Sequence, residues 1–337
     1  VSFGGRCLPE DLEKLIGLLA EELQQPAFPE KQLELVRAQT LSAISRMEDD
    51  TFQHAFRTGQ ARMYGRDHPY GSPVIGWSDT VKALARSDIV DFYNRYVTPA
   101  GFILSVVGNV DTEEAVALVS GQLGGWCGDV AEDTSLYARS EETYELKGER
   151  VELDMPGRSN ATVLIMRPGI NRLAPDYYAA SVANYIFGGD FASRLNEKLR
   201  TVEGLTYGSY SFASARRGRG PWVIYIQTNP ANVKRATEMA LAEWRRIYEE
   251  GVTEDELSGA KSYLTGNFAV RLSNIGAIAG ALAEIAHYDL GMDYFERYQH
   301  IINGLTRKEV NLGFRDNFGP DNYITVTAGD FDNLARL

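Results

Sequence analysis

Apolar and polar positions along the chain fall into two matching series. Glu10–Gln24 and Ala231–Glu249 carry apolar side chains at helical spacing, and a proline, Pro9 or Pro230, stands just ahead of each. The runs Pro29 to Leu33 and Thr253 to Leu257 open a second pair of helices at an offset of 224. Both place acidic residues in the first turn, where a helix N-terminus favours them. The third match is the longest. LARSDIVDFYNRYVTPAGFILSVVGNVD (84–111) aligns without a gap on LTRKEVNLGFRDNFGPDNYITVTAGDFD (305–332) at an offset of 221. Leu84/Leu305, Arg86/Arg307, Pro99/Pro320, Ile103/Ile324, Gly108/Gly329 and Asp111/Asp332 are identical pairs, and Asp88/Glu309, Ile89/Val310 and Phe102/Tyr323 are conservative ones. Each copy predicts a short helix, a proline turn and a β-branched strand closed by Gly-Asn or Gly-Asp.

The pattern predicts an internal duplication. Short strands, Val1–Phe3 and Trp222–Gln227, precede the first helix of each copy. Ahead of that point the second copy has about seventy further residues, Val151 to Pro221. They predict a strand at Ala161–Met166, a helix over Asp176–Phe187, a glycine turn, a helix over Phe191–Thr201 and another strand. The first copy has no such segment. Helix pairs mixed with strands, without β-α-β alternation, point to the α+β class. Two homologous domains are expected, each a largely antiparallel sheet packed against helices, the first incomplete at its N-terminus. Residues 1–131 are assigned to the first, 132–148 to an acidic linker and 149–337 to a complete second domain.

Composition narrows the function. The chain has 337 residues, a formal net charge of −12 and 44% hydrophobic content. That balance fits a soluble globular protein and argues against nucleic acid, which needs clustered Lys and Arg. Arg216, Arg217 and Arg219 form the one basic cluster, a short loop tip. No apolar run approaches the ~18 residues that a membrane span needs, so no membrane partner is expected. Cys7 and Cys127 show no metal spacing and read as two buried free thiols. Ser193, Ser209 and Ser211 have no His and Asp within sequence reach, which leaves a serine hydrolase without support.

A hydrolytic zinc centre needs three protein ligands and an open position. The four histidines, His54, His68, His287 and His300, form neither H-x-x-E-H nor H-E-x-x-H. Glu284 and His287 share a helix face at i, i+3 and read as a surface pair. No catalytic residue and no metal ligand is therefore assigned in this chain.

Two ordered stretches carry a family resemblance. One runs from Tyr64 to Gly76 through Asp67-His68-Pro69-Tyr70 and continues into the Leu84–Asp111 block. The other runs from Phe187-Gly188-Gly189 to Leu199-Arg200 and on through Gly204-Leu205-Thr206-Tyr207. Together they resemble the pitrilysin/insulinase family of inverted zincins, of mitochondrial-processing-peptidase-like type. The resemblance implies a chamber of two halves, each of two homologous α+β domains. One half carries zinc, and the other often lacks it and holds substrate. Its Arg and Tyr match Arg200 and Tyr207, which are implied to assist a partner's site. Gly188 and Gly189 are either a helix end and turn or a substrate-presenting loop. His68 has a structural place in its turn. The family's third-ligand position falls on Ala43, beside Ile44, and an alanine cannot ligate zinc. The strand Pro221–Gln227 offers either a sheet element or an edge for an extended peptide.

The reading that follows is a non-catalytic, substrate-binding half, inactive alone and without a cofactor. It pairs with a zinc-bearing homologous subunit to hydrolyse unfolded peptides, in the bacterial periplasm or cytoplasm. Two alternatives stand beside it: a fragment of an active zinc endopeptidase whose zinc motif precedes residue 1, and a structural scaffold subunit.

Overall fold

In the computed structural model, residues 1–128, 145–146 and 148–331 are described. Most of the acidic linker assigned to 132–148 lies outside them. The chain divides into two compact units, each assembled from three stretches. One comprises Val1–Leu41, Ser78–Asp133 and Phe268–Tyr294, the other Ser42–Trp77, Thr134–Asn267 and Phe295–Leu337.

The second unit is organised by a strand of unbroken apolar character. β2 (Ala161–Pro168) is buried along nearly its whole length. Alternation sends Val163 and Ile165 into one core and Leu164 and Met166 into another. A strand apolar on both faces requires a covering layer on each side. β4 (Pro221–Thr228) repeats the division, with Trp222, Ile224 and Ile226 in the first core and Val223 in the second. β2 pairs antiparallel with β4 and with β5 (Ile324–Gly329). β3 (Thr206–Ala213) pairs antiparallel with β4, and β1 (Glu149–Asp154) pairs parallel with β5. The order is β1-β5-β2-β4-β3, a mixed sheet with three of its four pairings antiparallel. The fold is α+β, as the element pattern implies.

Helices recur in step with the sequence repeat. A 3-10 turn Pro9–Asp11 and α1 (Leu12–Gln24) answer to Pro230–Asn232 and α9 (Val233–Glu250). α2 (Glu30–Glu48) answers to α10 (Glu254–Arg271), and α3 (Thr51–Tyr64) to α11 (Ile275–His287). α4 (Ser78–Ala83) answers to the end of α12 (Tyr294–Gly304), and α5 (Arg86–Tyr96) to α13 (Arg307–Asn317). The conservative pair Asp88/Glu309 has a physical basis. Asp88 accepts the Ala85 N–H at 2.7 Å and Glu309 accepts the Thr306 N–H at 2.7 Å, satisfying the N-cap in both copies.

In the second unit α3 covers one face of the sheet with Ala55, Met63 and Tyr64. The other core includes Trp222, Trp244, Phe314 and Phe318, fully or almost fully buried, from β4, α9 and the end of α13. Each such aromatic contributes roughly 1.5–3 kcal/mol by burial. In the first unit α1 buries Ile16, Ala20 and Leu23, and its end meets α6 (Thr112–Leu123), where Gln24 Nε2 donates to Gln122 O at 2.9 Å.

Two expected strands do not form. Val1–Phe3 and residues 102–107 are without strand pairing. In the second unit β5, the repeat partner of 103–108, is held between β1 and β2. Residues 1–128 hold no strand to play either part, and a strand without neighbours leaves its backbone groups unpaired. The cysteines also differ from expectation: both are free, but Cys7 is half-buried and Cys127 exposed. Neither unit burial nor a core position encloses them.

The cap predicts its own test. Thr306→Ala is expected to lower stability by about 1 kcal/mol. An unchanged urea midpoint would show that α13 does not depend on its cap.

Candidate functional site

The residues singled out by sequence lie on a continuous path from the end of α7 (Tyr177–Asn184) to β3. Asn184 closes α7 with a triple contact. Its Oδ1 accepts from Trp222 Nε1 at 2.6 Å and from Ser211 Oγ at 2.8 Å, and its Nδ2 donates to Ser211 O at 3.2 Å. The helix then widens into a π turn over Tyr185–Gly189. Such widenings are rare and gather at functional places. Gly188 is buried against β3: a Cβ there would lie 2.5 Å from Ser211 Oγ and 2.7 Å from Ser211 N. Gly189 is exposed, and its nearest neighbour would be 3.3 Å away. The first glycine serves close packing; the second is open to solvent.

Beyond the turn, Tyr185 donates its hydroxyl to Asp190 Oδ2 at 2.8 Å and stacks on Tyr263 at 5.2 Å. Burial, with the bond to Asp190 second, drives the Tyr185 phenol above its usual range. Asp190 also accepts the Ala192 N–H at 3.1 Å. Burial alone raises its pKa, but Ala192, Tyr185 and the Phe191 N–H outweigh it and hold Asp190 below the ordinary carboxylate value.

α8 (Arg194–Asn196) follows and widens into a second π turn, Glu197–Val202. Arg194 anchors it to α10 through two bonds to Glu256, Nε–Oε1 at 2.5 Å and Nη2–Oε2 at 2.6 Å, with a third to Gly251 O at 2.9 Å. Arg200 rides on the second π turn. Its guanidinium carbon lies 4.2 Å from the Phe191 ring centroid, and the guanidinium makes no hydrogen bond or ion pair with a described residue. The stack is the attractive face-on cation–π arrangement, which leaves the edge donors of the guanidinium available.

Gly204, at φ +62°, reverses the chain after that turn, with its N–H donating to Arg200 O at 3.1 Å. The strand that follows is bulged. Thr206 pairs with Thr228 and Gly208 with Gln227, so Tyr207 is the extra residue. Thr206 Oγ1 accepts the Gly208 N–H at 3.0 Å and lies 2.5 Å from Gln227 O as donor, pinning the bulge from inside. Tyr207 is 87% exposed. Arg200 and Tyr207 thus sit on either side of one glycine turn, with no hydrogen bond between them.

β4 is internal to the sheet, which corrects the reading of Pro221–Gln227 as a docking edge. Among the described residues the last strand on that side is β3. There the Ser209 N–H and Ser211 C=O, groups that an added strand would need, are taken by Asn196 and Asn184.

The remaining sequence-marked residues stand elsewhere. His68 is 1% exposed, stacks on Tyr64 at 5.1 Å, and its Nδ1 accepts the Tyr70 N–H at 3.0 Å, a structural role. His54 Nδ1, on α3, meets Glu48 O at the end of α2 at 2.9 Å. Ala43 is half-buried on α2 beside the buried Ile44. Among the described residues no group of three or more His, Cys, Asp or Glu side chains is placed to hold a metal ion. Sequence reasoning missed Phe191, Asn196 and Thr206. Only the order F-A-S-R-L-N, with an exposed aromatic nine residues ahead of Arg200, hints at the first.

Comparison with known proteins adds the ancestry. Residues 83–264 match the family described as "Peptidase M16 inactive domain". An uncharacterized zinc protease of Streptomyces coelicolor is 28% identical over 281 residues, 83% of this chain and 61% of that protein. The chain therefore spans less than two thirds of that relative. An uncharacterized zinc protease of Mycobacterium leprae is 26% identical over 90% of this chain and 68% of its own length. The crystal structure of a peptidase M16 inactive domain from Pseudomonas fluorescens superposes with a TM-score of 0.84 at 24% identity, over 95% of this chain and 75% of that one.

Two outcomes follow from the geometry. Gly188→Ala is expected to destabilise by about 1–3 kcal/mol through overpacking against Ser211, and Gly189→Ala by much less. Equal denaturation midpoints for the two variants would contradict the packing. Glu256 gives a pH dependence. Burial raises its pKa, but Arg194 and the Thr253 N–H outweigh it, holding it below the ordinary 4.5. A depressed carboxyl stabilises fully above its unfolded value and loses that contribution as pH falls through the folded one. Glu256→Gln should therefore melt below the wild type at neutral pH, with the gap closing in acid well below 4.5. A gap that persists there would mean that charge is not what joins α8 to α10.

Proposed function

The chain belongs to the peptidase M16 family, and from that premise we propose that it is a non-catalytic, substrate-binding half of a zinc peptidase. It pairs with a zinc-bearing homologue, and together they hydrolyse unfolded peptides in an enclosed chamber. The observation that carries this reading is Arg200, a guanidinium stacked on Phe191 with its donors unengaged, one turn ahead of a phenol thrown clear of the sheet by a bulge. Among the described residues no three His, Cys, Asp or Glu side chains stand together to hold zinc, and position 43 offers only a methyl group.

Each residue has a task that its chemistry suits. The planar guanidinium holds a peptide carbonyl or terminal carboxylate through paired hydrogen bonds, and the ring beneath it restricts its orientation. The Tyr207 hydroxyl donates to the oxygen that gains negative charge when a peptide carbonyl is attacked. Gly189, open beside this path, leaves room for an extended backbone. In this reading Gly188 shapes the turn and does not touch substrate.

The test is steady-state peptide cleavage by the chain combined with a zinc-bearing M16 homologue from the same organism. Tyr207→Phe is expected to lower kcat on the order of 100-fold, the cost of one oxyanion donor. Arg200→Ala is expected to act mainly on KM, because it removes a contact made before chemistry. Wild-type kcat and KM in both variants would end the assignment.

A further inference from the structure

Asn196 has no exposed surface, and its side-chain amide joins two segments that the chain itself connects only by a long detour. Nδ2 donates to Phe191 O at 2.6 Å. Oδ1 accepts the Ser209 N–H at 3.2 Å. Phe191 is the ring beneath the Arg200 guanidinium. Ser209 is the second residue after Tyr207, just past the bulge. Arg200 itself follows Asn196 by four residues along the same widened helix. A single planar group therefore touches the support of the guanidinium on one side and the strand that bears the phenol on the other.

The two bonds demand an amide. A carboxamide offers a donor and an acceptor from one plane, a carboxylate of the same shape offers acceptors only, and a methyl group offers neither. The pairing also fixes the orientation of the group, because a carbonyl must face Nδ2 and an N–H must face Oδ1. Packing of the segment does not rest on it: Leu195 and Leu199, both 0% exposed, flank it in the large core.

We infer that Asn196 is a positioning residue, which holds the Phe191–Arg200 stack and the Tyr207 bulge in one fixed relation so that a peptide meets guanidinium and phenol together. This rests on the substrate-binding reading above. Thr206 fixes the bulge from the β4 side, and Asn196 fixes it from the helix side. Without the amide the two functional groups would each persist, but their spacing would not, and binding sites tolerate little such error.

The experiment uses the whole chain, isotopically labelled at arginine and serine, with two variants. Asn196→Asp keeps an acceptor for Ser209 and sets a carboxylate oxygen against Phe191 O. Asn196→Ala removes both bonds. In Asn196→Asp the Arg200 side-chain resonances are expected to lose the shift that the Phe191 ring imposes, while the Ser209 amide stays protected from exchange. In Asn196→Ala both signals are expected to change. Affinity for an unstructured, fluorescein-labelled peptide with a free C-terminal carboxylate should fall about tenfold in each, the effect of one misplaced charge-assisted hydrogen bond. Unchanged Arg200 and Ser209 signals in a folded variant would overturn the inference, and if Asn196→Ala does not fold, Asn196→Asp decides alone. Arg200→Ala serves as the control: binding as tight as wild type would remove the substrate-binding reading, while the resonances would still decide what Asn196 holds.

Discussion

β2 cannot have either face wet. Its apolar side chains alternate between two cores, and its backbone is hydrogen-bonded on both sides, to β4 and to β5. That double demand fixes the rest of the second unit. One face has to be closed by a helix, which is α3, and the other by a larger helical layer, whose Trp244 packs on Trp222 of β4 at 5.0 Å. β4 shares both cores, its far partner β3 is the boundary of the sheet among the described residues, and the candidate site gathers along that boundary. The site is peripheral for a physical reason. It occupies the place where the sheet stops and side chains take over the role of a neighbouring strand.

The sequence made the helical skeleton legible because helix signals are local. Pro9 and Pro230, the acidic first turns, and the Asp88/Glu309 caps are each set by a few adjacent residues, and these elements appear where the repeat places them. Strand formation is a cooperative property and was not legible in the same way. The segment at 103–108 matches β5 in pattern yet forms no strand, since its pairing depends on distant residues and not on its own side chains. The burial of Cys7 and Cys127 failed for a related reason: a residue type has an average burial, but a position has neighbours.

Within the site, Arg200, Tyr207 and the two glycines were marked by family pattern, and the structure adds what orients them. Neither π turn was visible, because an extra residue in a helical turn leaves apolar periodicity almost unchanged over so short a span. The bulge at Tyr207 was hidden for the converse reason, since one unpaired residue in a strand reads as ordinary alternation until register is known. Phe191, Asn196 and Thr206 act through contacts with residues 9, 13 and 21 positions away. Spacing arguments look along the chain, whereas these contacts run across it.

The capped boundary also limits how copies of this sheet can meet. Asn184 and Asn196 occupy backbone groups of β3 that a strand from another molecule would have to pair with. Among the described residues β1 has only β5 beside it. A strand laid along β3 would have to displace both amides before it could pair there, so growth of the ladder at that boundary carries a cost that a bare edge does not impose.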